Sequence, residues 1–120
     1  MNDCYPINTR AAEAVAQSMK DFAGPVAEVK YFHSDGACEL VKAATDLGWC
    51  HGTSTPGRSE TNGVAEAAVK KVTYGTTTVL EHAGFESKWW PRAAKHFCFA
   101  SCLNKKDGIS PYNLRHGVNI

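Results

Sequence analysis

Two acidic residues, Asp35 and Glu66, are the candidates for catalytic chemistry in this chain. Carboxylates that converge on one point can bind hard cations such as Mg²⁺, which activate an attacking oxygen and stabilise a leaving oxygen in phosphoryl transfer. Asp35 follows a stretch rich in β-forming residues, and Glu66 falls in the first turn of a predicted helix, so both can face the same space. Taken alone, the two residues favour a simpler interpretation: Asp35 is a turn residue at a strand end, and Glu66 stabilises the helix dipole.

The loop that leads to Glu66 is rich in turn-forming residues, and the pattern changes to apolar residues at helical spacing from Val64 onward. Asn62 and Gly63 are candidate N-cap residues for this helix. The other predicted elements alternate between helix and strand, which favours an α/β fold. The predicted helices cover residues 10–23 (capped by Thr9), 36–47, 63–83 and 88–103 (capped by Ser87), the predicted strands cover 28–33 and 49–53, and a turn at 105–108 precedes a last helical turn at Ser110-Pro111.

Several motifs follow one another along nearly the whole chain. They are Ser34-Asp35-Gly36 with Glu39, Thr53-Ser54-Thr55-Pro56, Asn62-Gly63-Val64-Ala65-Glu66, Trp89-Trp90 with Ala93-Ala94, and Ser110-Pro111-Tyr112-Asn113-Leu114-Arg115-His116-Gly117. In this order they resemble the catalytic core of retroviral and retrotransposon integrases, in particular that of copia-type LTR elements. The Asn-Gly-Val-Ala-Glu string is the most specific part of the resemblance.

The resemblance implies a ribonuclease-H-like α/β fold, with residues 1–120 forming a partial integrase core that is incomplete at the N-terminus and has extra C-terminal helices. In that family a further Asp on the first strand completes the metal site. Asp3 stands just before Cys4-Tyr5-Pro6, which matches the second strand of the family, so we expect that it is not this ligand. The chain is therefore expected to be truncated, or to come from a degenerate element, and to be inactive by itself.

The resemblance also implies the ligands and partners. Asp35 and Glu66 would be the catalytic residues and would hold Mg²⁺ or Mn²⁺, with their carboxyl groups about 4–8 Å apart. The partners would be DNA ends and target DNA, with homo-oligomer formation as a further expectation, and the location would be intracellular, in the nucleus if functional. DNA contacts are expected from Arg58, Asn62, Lys70 and Lys71.

Two features weaken or compete with these expectations. Only the 30 residues 36–65 separate the two carboxylates, fewer than is usual in the family, and Glu60 stands where the family commonly has Gln. An acid beside DNA phosphates opposes binding. Lys70 lies four residues after Glu66, so an ordinary surface ion pair is an equally good interpretation of these two residues.

The composition excludes some classes of protein and leaves others open. A net charge of +1 predicts no strong affinity for nucleic acid from total charge, and no apolar stretch reaches membrane-spanning length. The five cysteines, without a signal peptide, indicate reduced thiols in an intracellular protein. Cys98 and Cys102 lie on one helix face near His96, and Cys50-His51 adds two candidate zinc ligands, but core packing is the favoured interpretation. Trp89 and Trp90 are expected in the core or at a partner surface.

Three hypotheses therefore stand: an integrase-core fragment, a non-catalytic remnant that serves as an interaction module, and a small zinc-dependent module. The strand at residues 28–33 is expected to be the buried centre of the sheet, with the long helix packed across it. If a pairing hairpin is missing, its edge carries unpaired backbone groups, so the isolated chain is expected to aggregate or to be partly molten unless an upstream hairpin is restored.

Overall fold

The computed structural model describes residues 1–53 and 62–117, and helices predominate within these ranges. The elements in chain order are α1 (Ala12–Ala23), β1 (Phe32–Ser34), α2 (Cys38–Leu47), β2 (His51–Thr53), α3 (Gly63–Ala83), α4 (Trp90–Leu103) and α5 (Pro111–His116). A short 3₁₀ turn, Ser87–Trp89, precedes α4. The chain divides into two units, one formed by Ile7–Glu66 and the other by Met1–Pro6 with Ala67–Ile120.

The unit Ile7–Glu66 is built on a parallel pair of strands, β1 and β2, in which Phe32 pairs with His51 and Ser34 with Thr53. Parallel strands cannot be joined by a tight turn, and α2 provides the crossover between them. The αL conformation of Gly48, with φ of 71°, ends α2 and returns the chain to β2. This β–α–β arrangement agrees with the expected alternation of helices and strands, although the described sheet consists of two short strands.

Helices α1 and α2 pack against each other. Their buried residues are small: Ala12 and Val15 in α1, and Ala43 and Ala44 in α2. Thr9 was expected to cap a helix that begins at residue 10, but α1 begins two residues later. The Thr9 hydroxyl accepts a hydrogen bond from the backbone N–H of Ala11 at 3.2 Å, outside the helix.

The prediction of a buried strand at residues 28–33 is wrong in both extent and burial. The strand is β1, only three residues long, and the preceding Tyr31 is 61% exposed. The pairing begins at Phe32, whose N–H donates to the carbonyl of Cys50 at 2.8 Å, just before the first residue of β2. Residues before Phe32 therefore lie outside the ladder. Val41 on α2 is also exposed.

Helix α3 has the bounds that the sequence pattern predicted, but not all apolar residues at helical spacing lie on its buried side. Thr76 and Leu80 are buried, whereas Val64 is 90% exposed and Ala83 is exposed. Val64 and Ala83 lie at the two ends of the helix. The hydroxyl oxygen of Thr76 is buried without a hydrogen-bond partner in the described part of the chain, so its side chain contributes to packing and not to a polar network.

The start of α4 corrects a further expectation. Ser87 was expected to cap this helix, but it begins the 3₁₀ turn, and α4 starts at Trp90 without a side-chain cap. Pro91 lies in the first turn, where its missing N–H has no consequence. The inward face of α4 is formed by small side chains: Ala93, Ala94, Cys98 and Cys102.

The C-terminal motif is a short helix with a cap at each end. The Ser110 hydroxyl accepts the N–H of Asn113 at 3.1 Å and donates to the Asn113 side-chain oxygen at 3.0 Å, and Pro111 follows at the first helical position. Gly117, with φ of 66°, ends the helix. Ahead of it, Asp107 and Gly108 both have positive φ between the paired residues Lys106 and Ile109, the geometry of a tight hairpin turn.

A substitution at Gly75 tests the packing of α3 against α4. A methyl group at this position would overlap the ring of Phe97. We expect Gly75→Ala to lower the free energy of unfolding. Overpacking costs about 1–3 kcal/mol, which exceeds the gain of about 1 kcal/mol in helix propensity. The measurement is urea unfolding followed by circular dichroism.

The matched control is Gly63→Ala at the start of the same helix, where a methyl group meets nothing within 4 Å among the described residues. This variant should be as stable as the wild type or slightly more stable. If Gly75→Ala stabilised the protein as well, the close packing of Phe97 on α3 would be refuted.

Candidate active site

Asp35 is the first residue after β1 and is exposed. Its Oδ1 accepts a hydrogen bond from the N–H of Ala37 at 3.2 Å, which forms a turn just before α2. Gly36, with φ of 81°, supplies the left-handed conformation in this turn. The structure thus gives Asp35 the simpler role proposed from the sequence, a turn residue at a strand end, and leaves its carboxyl group at the surface.

Ser34 and His51 form a polar pair beside Asp35 that sequence reasoning missed. Ser34 is 7% exposed, and its hydroxyl lies 2.8 Å from Nε2 of His51. The N–H of Gly36 donates to the same hydroxyl at 3.3 Å. The His51 ring also stacks on Phe32, with ring centroids 5.1 Å apart. Strand periodicity places Phe32 and Ser34 on one face, but their partner follows only from the register of β2.

Glu66 lies in the first turn of α3, as predicted, and is exposed. Asn62 directly precedes the helix, but the expected side-chain cap is not formed. Its Oδ1 is buried and makes no hydrogen bond within the ranges 1–53 and 62–117. Arg58 and Glu60 lie outside the described residues, as does most of the loop that precedes Asn62.

Lys70 and Lys71, the two predicted DNA-binding lysines of α3, are both exposed. Lys71 borders a small cavity of about 130 Å³ whose other lining residues are Met1, Asn2, Ser101, Cys102 and Pro111. Neither Glu66 nor Lys70 takes part in an ion pair in the described part of the chain, so the alternative of a surface pair between them is not observed. An ion pair does form between Lys88 and Glu86, at 2.8 Å.

Comparison with solved structures gives a match over most of the chain. The catalytic core domain of BIV integrase in crystal form I is similar, with a TM-score of 0.56 and 20% sequence identity over 90% of this chain and 72% of that chain. The chain has an integrase-core-like fold. Neither a protein-family model nor a curated protein matches the sequence. The structural match confirms the expected fold at this level and does not address the copia-type assignment.

The carboxylates of this integrase-like core fit Mg²⁺ in their chemistry. Mg²⁺ prefers oxygen ligands and is commonly held by one or two carboxylates together with water and phosphate oxygens. Asp35 and Glu66 provide two exposed carboxylates of this kind. No group of three His, Cys, Asp or Glu side chains that could hold a metal ion occurs among the residues described. The convergence of the two carboxylates on one cation stays a prediction.

Asp3 makes only local contacts. One carboxylate oxygen accepts the N–H of Cys4 at 2.8 Å, and the other accepts the hydroxyl of Tyr5 at 2.7 Å. Both oxygens are therefore used within the N-terminal segment. The expectation that Asp3 is not the missing metal ligand stays a prediction.

The aromatic pair at the start of α4 lies at the surface of the integrase-like core and not in its interior. Trp89 is 41% exposed and Trp90 36% exposed, and the guanidinium of Arg92 lies 5.4 Å from the centroid of a Trp89 ring. Trp89 also borders an open cleft of about 430 Å³ between α3 and α4. The other residues that line it are Val79, Leu80, Ala83, Phe85, Arg92, Ala93 and His96.

The cysteines of α4 are core residues, as the favoured interpretation held. Cys98 is 1% exposed and Cys102 5%, and the Cys102 thiol donates to the carbonyl of Asn2 at 3.3 Å. Burial raises the pKa of the Cys98 thiol from 9.0 to about 11. A zinc site needs thiolates that are easily formed, so this environment does not support one.

The raised pKa of Cys98 predicts a loss of stability at alkaline pH. Between about pH 9 and 11 the thiol ionises in the unfolded chain but keeps its proton in the folded one. The unfolded state then binds fewer protons, so the free energy of unfolding falls as the pH rises through this window. Urea unfolding at pH 8 and pH 10.5 should show a smaller drop in Cys98→Ala than in the wild type.

The control for this measurement is Cys38→Ala, since Cys38 is exposed. The drop in stability of this variant between pH 8 and pH 10.5 should match that of the wild type. An equal drop in the wild type and in Cys98→Ala would show that Cys98 is not protected by the fold.

Proposed function

We propose that this chain derives from the integrase core of a copia-type retrotransposon, and that its ancestral reaction is polynucleotidyl transfer, which joins element DNA to target DNA. The observation that carries the proposal is the position of Asp35, directly after the first strand of a parallel β–α–β unit in a chain with an integrase-core-like fold. Glu66, in the first turn of α3, provides the second carboxylate.

Each part of the proposed site has a role that its chemistry supports. Asp35 and Glu66 would hold Mg²⁺ or Mn²⁺, which would supply positive charge beside the phosphate that undergoes transfer. Lys70, exposed one turn after Glu66 on α3, contacts a DNA phosphate. Asn62 and Lys71 are further proposed DNA contacts, and Arg58 is proposed from the sequence alone. DNA ends and target DNA are the proposed partners, a homo-oligomer the proposed assembly, and the nucleus the proposed location.

A second candidate is a non-catalytic remnant that keeps the fold and does no chemistry. The observation in its favour is that the described residues contain no group of three possible metal ligands, whereas phosphoryl transfer with two cations needs several converging carboxylates. The two candidates differ in whether Asp35 and Glu66 still bind a cation.

Titration with Mn²⁺, followed by the loss of the free-ion EPR signal, tests the metal site. We expect Asp35→Asn and Glu66→Gln each to weaken Mn²⁺ binding by about tenfold or more. Loss of a group that only orients a metal ligand costs about 10–100-fold in metal affinity, and loss of the ligand itself should cost at least as much. Matched controls are Asp46→Asn on α2 and Glu81→Gln on α3, both exposed acids outside the proposed site. If all four variants bound Mn²⁺ equally, the metal site would be refuted and the non-catalytic candidate favoured.

A separate experiment concerns activity. We expect the 120-residue chain to show neither 3′-processing nor strand transfer on a labelled DNA end with Mg²⁺ or Mn²⁺, because two carboxylates are too few to hold two cations. Activity that is present in the wild type and lost in Glu66→Gln would contradict this expectation.

A further inference from the structure

The side chain of His51, the first residue of β2, contacts two residues of β1, the strand that Asp35 directly follows. It stacks on Phe32 with an interplanar angle of 27°, and its Nε2 lies 2.8 Å from the Ser34 hydroxyl. Phe32 is the register partner of His51, whereas Ser34 pairs with Thr53. The His51 side chain therefore reaches along β1 from its own partner to the last residue of the strand.

The contact continues from Ser34 into the turn that holds Asp35. The Ser34 hydroxyl accepts the N–H of Gly36 at 3.3 Å, so hydrogen bonds on this hydroxyl connect His51 with the backbone on the far side of Asp35. The next N–H, that of Ala37, donates to the Asp35 carboxylate at 3.2 Å. Asp35 thus lies between Ser34, whose side chain is buried, and Gly36, whose N–H is hydrogen-bonded to the Ser34 hydroxyl.

We infer that His51 is a positioning residue for Asp35: by holding the Ser34 hydroxyl, it sets the turn that orients the Asp35 carboxylate toward a divalent cation. The inference rests on the metal site of the proposed function and adds to it a residue that touches neither the cation nor DNA. The Ser34 hydroxyl can accept the N–H of Gly36 and still pair with Nε2 of His51 as donor or as acceptor, so the contact forms with either tautomer of the ring.

Two substitutions separate the hydrogen bond from the packing of the ring. His51→Phe keeps an aromatic ring that can stack on Phe32 and removes the hydrogen bond to Ser34. His51→Gln keeps a side-chain amide that can reach the Ser34 hydroxyl and removes the ring. A purely structural role predicts that thermal stability and Mn²⁺ affinity change together, whereas a positioning role predicts that Mn²⁺ affinity follows the hydrogen bond.

The experiment measures Mn²⁺ affinity by EPR in the 120-residue chain, together with NMR of the metal-free protein. His51→Phe should weaken Mn²⁺ binding by about tenfold, the scale for partners that orient metal ligands, and His51→Gln should restore most of the affinity. Ser34→Ala should weaken it similarly, and the double variant Ser34→Ala/His51→Phe should be no weaker than either single variant, because both act through one contact.

NMR provides readouts that do not depend on the metal. His51→Phe should accelerate amide hydrogen exchange at Gly36 and move the Asp35 Cγ resonance, and His51→Gln should do neither.

The outcomes distinguish the inference from the proposed function. If Asp35→Asn weakens Mn²⁺ binding and His51→Phe does not, the positioning role is overturned and the metal site stands. If Asp35→Asn has no effect, the metal site fails, and the NMR data decide the positioning role. In that case, unchanged Gly36 exchange and Asp35 resonance in His51→Phe would overturn the role, and changes in both would support it.

Discussion

The pairing of two three-residue parallel strands is the constraint on which the candidate site depends. A ladder this short makes few backbone hydrogen bonds, so side-chain contacts have to hold the strands in register. His51 provides two such contacts, a stack on Phe32 and a hydrogen bond to Ser34, and Trp49 adds a third aromatic ring 6.0 Å from Phe32. The register in turn determines which residues of β2 lie beside the turn that carries Asp35.

Asp35 illustrates how one carboxyl group can serve both folding and chemistry. Its contact with the N–H of Ala37 helps to start α2, so part of its hydrogen-bonding capacity belongs to the local structure. A carboxylate can accept several hydrogen bonds, however, and metal ligands are commonly fixed by such contacts. The turn role and the proposed metal role are therefore compatible, and the first would orient the carboxylate for the second.

The other unit, Met1–Pro6 with Ala67–Ile120, depends on small side chains. Gly75 in α3 lets the Phe97 ring approach the helix backbone, and α4 buries alanines and cysteines along its inner face. Close approach of this kind increases dispersion contacts but leaves no room for larger residues. The burial that lets Cys98 and Cys102 fill this space also keeps the Cys98 thiol protonated, which links packing to reactivity.

Local features of this protein were determined by the sequence itself. The bounds of α3, the turn at Asp107-Gly108 and the short helix that begins at Ser110-Pro111 all follow from contacts within a few residues, and the pattern predicts them. The placement of Asp35 after a strand and of Glu66 in a first helical turn is likewise local and was predicted from the sequence. Motif order, too, indicated a fold that the structural similarity to the BIV integrase core confirms.

Only the tertiary structure decided the rest, because it depends on residues far apart in the chain. β1 begins at the residue that pairs with the first residue of β2, so Tyr31 lies outside the ladder in spite of its β propensity. The burial of Thr76 in α3 follows from what packs around it and not from its polarity. The contact between Ser34 and His51 joins residues 17 apart, and it exists because a parallel register and a crossover helix bring the two side chains to one face.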